Sequence, residues 1–284
     1  MSQIAVFQPK TLPEALGWLA SAPEGSRCLA GGTDLMVLKH VQAPLPQNFC
    51  DLWSLDELRG VSDDGDALWL GALTTYAEMM SHPLITAHAP LLCEAARSVG
   101  AAAIQNRGTL GGNIANASPA GDTLPVLLVH EAEIEVASQE GRRVIPAISF
   151  FQGYKKLDLR PGELITRIRL HKQREGERHL WVKVGQRRAQ AISKLMLAAR
   201  ASLENGTIQH PRIALGAVAP IPLRILSAEH ALRGQRPSED LARSVGVLAC
   251  EEVSPISDVR STVEYRRSVS GNLVARFVRE LTRA

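Results

Sequence analysis

Two short stretches of this chain combine glycine with residues that hold anions. Residues Asn106 to Asn116 read Asn-Arg-Gly-Thr-Leu-Gly-Gly-Asn-Ile-Ala-Asn, three glycines and three asparagines in eleven residues. Glycine accepts positive φ and lets a ligand touch the peptide planes. Asparagine brings donors and acceptors and tolerates left-handed backbone. The combination points to main chain wrapped around a polar, phosphorylated molecule. Earlier, Arg27-Cys28-Leu29-Ala30 ends abruptly at Gly31-Gly32-Thr33-Asp34, and Leu35 to His40 reads as a helix start with Thr33 or Asp34 as N-cap. Strand, glycine turn and helix N-terminus together make an anion site, because unpaired N–H groups and the helix dipole point the same way. Either turn alone reads equally well as a tight connection with no ligand; two in one chain favour a ligand.

Exclusion narrows the ligand. The chain has neither a G-x-x-x-x-G-K-[ST] motif nor the dinucleotide fingerprint G-x-G-x-x-G at either stretch. A dinucleotide here must be held by two separate loops clasping one pyrophosphate. Cys28, Cys50, Cys93 and Cys250 are scattered with no C-x-x-C, so the chain by itself is not expected to ligate an iron–sulfur cluster, and buried free thiols are the better reading. The eight histidines show no metal spacing. No substrate base, nucleophile triad or metal site stands out.

These residues carry a family resemblance. Ala30-Gly31-Gly32-Thr33-Asp34-Leu35 and Thr109-Leu110-Gly111-Gly112-Asn113-Ile114 resemble the two FAD loops of the flavin-binding subunits of molybdenum hydroxylases of the xanthine, carbon monoxide and nicotinate dehydrogenase types. The run Ile256 to Arg267 is similar to the last-domain signature of that family. The resemblance extends from about residue 5 to the end, in order. It implies an α+β fold: a two-part FAD-binding domain of the vanillyl-alcohol-oxidase/PCMH type in residues 1–175, with subdomains of about 1–55 and 56–175, then a smaller α+β domain in 178–284.

By the same resemblance Arg27, Cys28, Leu29, Ala30, Gly31, Gly32, Thr33, Asp34 and Leu35 line the pyrophosphate and ribityl region with Thr109, Leu110, Gly111, Gly112 and Asn113, mostly through backbone N–H groups. Gly100 joins the cofactor-binding set. Asp122 accepts hydrogen bonds from the cofactor or caps the helix over Thr123–Val129. Leu164 and Ile165 pack on the isoalloxazine ring or simply fill sheet core. Lys183 lies near flavin N1 and O2, in a lysine-then-arginines segment that runs through Arg187 and Arg188. His40 could tether a flavin covalently, although a solvated or capping histidine is the plainer reading. Where many relatives have acidic residues after the arginines, this chain has Ala189-Gln190-Ala191, which leaves the acceptor open between NAD and another molecule.

The implied function is electron transfer within a heterotrimer. Electrons come from two-iron two-sulfur clusters of a small subunit, and a large molybdopterin subunit hydroxylates the substrate. Two alternatives remain: a self-sufficient FAD-dependent oxidoreductase of the same fold, and a binding or assembly protein that has lost the cofactor.

The elements that position these residues are legible in outline. Thr11-Leu12-Pro13-Glu14 and Thr75-Tyr76-Ala77-Glu78 read as capping boxes. A strand is expected near Ala67–Leu70 and a helix from Pro90 to Val99. Glu131 to Val136 alternates as a half-exposed strand with a solvated acidic face, and Glu163 to Leu170 alternates more loosely. His171 to Arg178 reads as an exposed turn or linker. Beyond it the pattern shows strand-like runs at Trp181–Val184 and Ile213–Val218, and three helical ones. Mixed elements without regular βαβ alternation argue for α+β.

With 284 residues the chain can bury a sizeable core. A net charge of +3 and few aromatics disfavour nucleic acid. No apolar run reaches membrane-spanning length, and Met1 to Val6 shows no secretory pattern, so a cytoplasmic protein is expected.

Overall fold

The computed structural model describes residues 4–187 and 190–282. Met1 to Gln3, part of the stretch read for a secretory leader, and Arg188 and Ala189, part of the segment after Lys183, lie outside the described residues. The fold is the expected α+β mixture, and its larger sheets are antiparallel.

The first unit is built from β1 (Ala5–Phe7), α1 (Leu12–Ser21), β2 (Arg27–Leu29), α2 (Thr33–His40) and β3 (Asn48–Asp51), its strands forming a parallel sheet ordered β1-β3-β2. Thr11 caps α1 by accepting from Glu14 N, but the Glu14 carboxylate returns to Lys10 N rather than to Thr11, so only half of the expected box forms. Leu12, Ala15 and Leu16 pack with Cys50, Leu52 and Leu164, which joins this unit to the next.

The second unit starts with β4 (Val61–Asp64) and β5 (Ala67–Gly71), followed by α3 (Tyr76–Ser81), α4 (Pro83–His88), α5 (Pro90–Arg97), α6 (Ala102–Gln105), α7 (Leu110–Asn116) and α8 (Leu124–Val129). It then adds β6 (Glu133–Ser138), β7 (Gly141–Pro146), α9 (Ala147–Phe150), the ribbon β8 (Phe151–Gly153) and β9 (Lys156–Leu157), and β10 (Leu164–His171). Its main sheet is antiparallel, ordered β4-β5-β10-β6-β7. The capping box at α3 is complete: Thr75 accepts from Glu78 N, and Glu78 accepts from Thr75 N. The expected solvated acidic face holds only in part: Glu131 is exposed and Glu133 half-buried, but Glu135 is not solvated. Glu135 is buried because Thr166 bonds its carboxylate and Arg142 and Arg167 pair with it.

The third unit is an antiparallel sheet of β11 (Arg178–Val184), β12 (Leu195–Glu204), β13 (Thr207–Gly216) and β14 (Leu223–Arg224), followed by α10 (Leu226–Leu232), α11 (Glu239–Glu252) and α12 (Val263–Leu281). The helices cover one face, burying Leu197, Ala199 and Ala201. Helix α8 covers the other at Ala198 and Ala214, cross-strand partners with small side chains. A Cβ on Gly216 would lie 3.0 Å from the Pro125 ring, so glycine there permits the close approach.

The segment between β10 and β11 is exposed only in part. Residues 174–176 are exposed, but Glu177 is buried against Arg200 and the Gln173 amide is tied to its backbone. No helix among the described residues is long and apolar enough to cross a membrane.

Candidate functional site

Strand β2 runs into the turn that starts α2. Gly32, at φ +75°, is the N-cap, so the helix begins at Thr33 and neither Thr33 nor Asp34 caps it as expected. The reversal requires a left-handed residue, which glycine supplies at little steric cost. No side chain caps this helix, and the amides of Gly31, Gly32, Thr33, Asp34 and Leu35 make no hydrogen bond among the described residues. A row of open N–H groups at a helix start is a local positive field suited to an anion.

The second segment is built differently. It is not an open wrap but a turn leading into α7, with Gly111 and Gly112 in the first helical turn. Its amides are already paired: Leu110 N to Thr74 O at 3.0 Å, Gly111 N to Ala72 O at 2.8 Å, Gly112 N to Thr109 Oγ1 at 3.1 Å and Asn113 N to Thr109 O at 3.0 Å. Backbone donors are therefore not what these four residues offer. The glycines serve approach instead: a Cβ on Gly111 would stand 2.6 Å from the Ala72 Cβ, and one on Gly108 2.6 Å from the Tyr76 ring. Asn113 receives a bond from Thr123 Oγ1 at 2.7 Å on its Oδ1, and its amide nitrogen makes no bond among the described residues.

The two segments meet. A Cβ on Gly31 would fall 1.7 Å from the Arg107 carbonyl oxygen, so only glycine lets the first turn seat on the second. Asn116 Nδ2 donates to Asp34 Oδ1 at 3.1 Å, joining α7 to α2. The Arg107 guanidinium lies 3.6 Å from the Trp53 ring centre, and Arg59 stacks on the same ring at 4.4 Å. Open amides on one jaw, a shaped backbone on the other and a glycine contact between them fit a pyrophosphate-bearing group.

Asp122 and Lys183 come together from different units. Lys183 Nζ lies 2.6 Å from Asp122 Oδ2 and also donates to Ser98 O at 2.8 Å. Ser193 Oγ donates to Asp122 Oδ1 at 2.8 Å. Burial pushes the Asp122 carboxyl above its ordinary value, against the opposing pull of Lys183 and the hydroxyl donors. Asp122 does not cap α8, whose N-cap is Thr123. Tyr76, beneath Gly108, is buried with its phenol in the field of Asp122, and burial raises its pKa.

The other expected residues are more dispersed. Leu164 and Ile165 both lie in core, Leu164 with the first unit and Ile165 with the second, as neighbours on a strand point to opposite faces. Gly100, at φ +51°, turns the chain between α5 and α6. Arg27, Cys28 and Leu29 form β2, with Ala30 following. Cys28 faces Cys50 across the parallel register, both are free thiols, and burial pushes Cys28 up to about 12. His40 is exposed in the last turn of α2. Sequence reasoning missed Ser193, Ser98 and Trp53, which carry no local motif, and read Tyr76 only as part of a cap.

The chain is similar to known proteins over almost its whole length. The family described as "FAD binding domain in molybdopterin dehydrogenase" matches residues 2–172, and "CO dehydrogenase flavoprotein C-terminal domain" matches 181–281. The chain is 30% identical to the xanthine dehydrogenase FAD-binding subunit of Escherichia coli O157:H7, covering 96% of this chain and 94% of that one. It is also 30% identical to the glyceraldehyde dehydrogenase medium chain of Sulfolobus acidocaldarius, covering 98% of both. A chain of the reconstituted CO dehydrogenase from Oligotropha carboxidovorans superposes with a TM-score of 0.95 at 27% identity, over 99% of each chain.

Proposed function

This chain belongs to the family of FAD-binding domains in molybdopterin dehydrogenases, as a FAD-binding oxidoreductase subunit, and on that premise we propose that it is the electron-transferring member of a molybdenum hydroxylase heterotrimer. It stands between the two-iron two-sulfur clusters of a small subunit and NAD or another acceptor, while a large molybdopterin subunit hydroxylates the substrate. A flavin accepts electrons singly and passes them on as a pair. The protein's part is to bind, orient and bias that cofactor.

The observation that carries this reading is the row of open amides from Gly31 to Leu35, seated by Gly31 against Arg107. These amides and the Asn113 amide are proposed to hold the pyrophosphate and ribityl region, with Thr33 and Thr109 adding hydroxyls. Arg27, Cys28, Leu29, Ala30 and Gly32 set the first jaw; Gly100, Leu110, Gly111 and Gly112 set the second. Leu164 and Ile165, at the start of the central strand β10, are proposed to pack beside the ring. A cation beside a flavin increases its tendency to accept electrons, and Lys183, anchored by Asp122 and Ser98, is proposed for that role. The proposed domains are 1–175 and 178–284, with the cofactor held mainly by the first.

Purification of the chain with its natural neighbours tests the assignment. The expected result is a complex holding FAD, a molybdopterin subunit and a small subunit with iron–sulfur clusters. Isolation as a lone flavoenzyme that turns over its own substrate would overturn it.

A further inference from the structure

Asp122 stands where the units converge, and both of its carboxylate oxygens are committed across the seam. Lys183 is the next-to-last residue of β11, and Ser193 lies two residues before β12. The carboxylate therefore joins the two roots of the β11–β12 loop, whose mouth is closed by Lys194 N donating to Val184 O at 2.8 Å. Ser193 is 1% exposed, and its hydroxyl has Asp122 as its one hydrogen-bond partner among the described residues. On the other side Asp122 adjoins Thr123, which donates to Asn113 in the second jaw. An ionised carboxylate is an acceptor only, and donors on both of its oxygens, Lys183 on one and Ser193 on the other, fix its plane.

We propose that Ser193 is a positioning residue of the flavin site, fixing the Asp122 carboxylate so that Lys183 is held at the cofactor and FAD retention depends on the C-terminal unit. The inference rests on the FAD reading above and adds a residue outside both glycine segments. Removing Ser193 leaves a buried carboxylate with one donor fewer, so its preference for the protonated form grows. A protonated Asp122 no longer anchors the Lys183 ammonium. The titratable groups facing Asp122 among the described residues are Lys183 from β11 and Tyr76 from α3.

The test uses the full chain, stripped of cofactor, as wild type, Ser193→Ala and Ser193→Thr. FAD affinity is measured by equilibrium dialysis across a series of pH values from acid to alkaline, because burial raises the Asp122 carboxyl above its ordinary value. Loss of one charge-assisted hydrogen bond predicts roughly tenfold weaker FAD binding in Ser193→Ala at neutral pH. The acid-side fall in affinity moves to higher pH, and Ser193→Thr restores both. Wild-type affinity and pH profile in Ser193→Ala overturn the inference. So does a loss that is uniform with pH, unrescued by threonine and accompanied by a lower melting temperature of the stripped chain, since that marks a merely structural role. Failure of the wild-type chain itself to bind FAD overturns the reading on which the inference rests.

Discussion

A methyl group at residue 31 has no space to occupy, because the Arg107 carbonyl oxygen already lies 1.7 Å from where it would sit. The neighbour is backbone, so relief requires separating the two jaws. Gly31→Ala is expected to destabilise the protein by about 1–3 kcal/mol and to lower bound FAD at least several-fold, read from the flavin-to-protein absorbance ratio after purification. Lys183 differs in kind: its ammonium is held by Asp122 and Ser98, and its loss removes a charge partner from the buried Asp122 carboxylate rather than forcing atoms apart. Lys183→Met should lower both FAD content and the midpoint potential; finding both unchanged by redox titration would remove its assigned role.

Elements show where local pattern was sufficient and where it was not. The helix start at Thr75, the strand near Ala67 and the glycine turn after Leu29 were legible because capping, alternation and glycine act over a few residues. Strand β12 was not. Leu195 to Glu204 is rich in Leu, Met, Ala and Arg, which favour helix, yet it runs between β11 and β13 with both faces covered and residues 195–202 buried. Burial on both faces erases the period-two signal, so tertiary packing decides. The hidden acid Glu135 and the bridge from Asp122 to Ser193 escaped for a related reason: their partners lie far along the chain.

Glu163 illustrates an element pinned in this way. Its hydrogen bonds from Arg143, reinforced by Arg160 N, hold its carboxyl below the ordinary range where β10 begins. A depressed folded pKa means stabilisation that is present above the unfolded value and lost as pH falls through the folded one. Glu163→Gln should therefore cost about 2 kcal/mol near neutrality and much less in acid below the folded value. Denaturant titrations at the two pH values measure the difference.

At the scale of the whole molecule, the seam between the FAD-binding part and the C-terminal unit is electrostatic as well as apolar. Arg200 and Arg212 are cross-strand partners, and Arg224 lies on the next strand. Each has its own acid: Glu177 at 3.3 Å, Glu131 at 3.0 Å, and Glu229 in a close buried pair. Arg224 also donates to Leu128 O at the C-terminal end of α8, where a cation complements the helix dipole. His130 follows, with Nδ1 at 2.7 Å from His171 O, and burial lowers it to about 3, so it packs as a neutral ring. Arg224→Met alone strands Glu229 and is expected to cost about 3–5 kcal/mol. The double change with Glu229→Met should recover most of that, and thermal denaturation of the two variants distinguishes a structural pair from independent charges.

The stacking of Trp53 between Arg59 and Arg107 has an optical consequence. Arg107 is also the residue whose carbonyl oxygen lies against Gly31, so Trp53 touches one side of the contact between the two jaws. Flavins absorb where indoles emit, so on the proposed placement of FAD Trp53 is an energy donor at the edge of the clasp. Removing FAD should brighten its emission, and Trp53→Phe should abolish more of that response than Trp69→Phe, since the Trp69 ring pairs instead with Arg167 on β10 and Asp64 on β4. On the proposed placement, Trp53 emission is the chain's own gauge of cofactor occupancy.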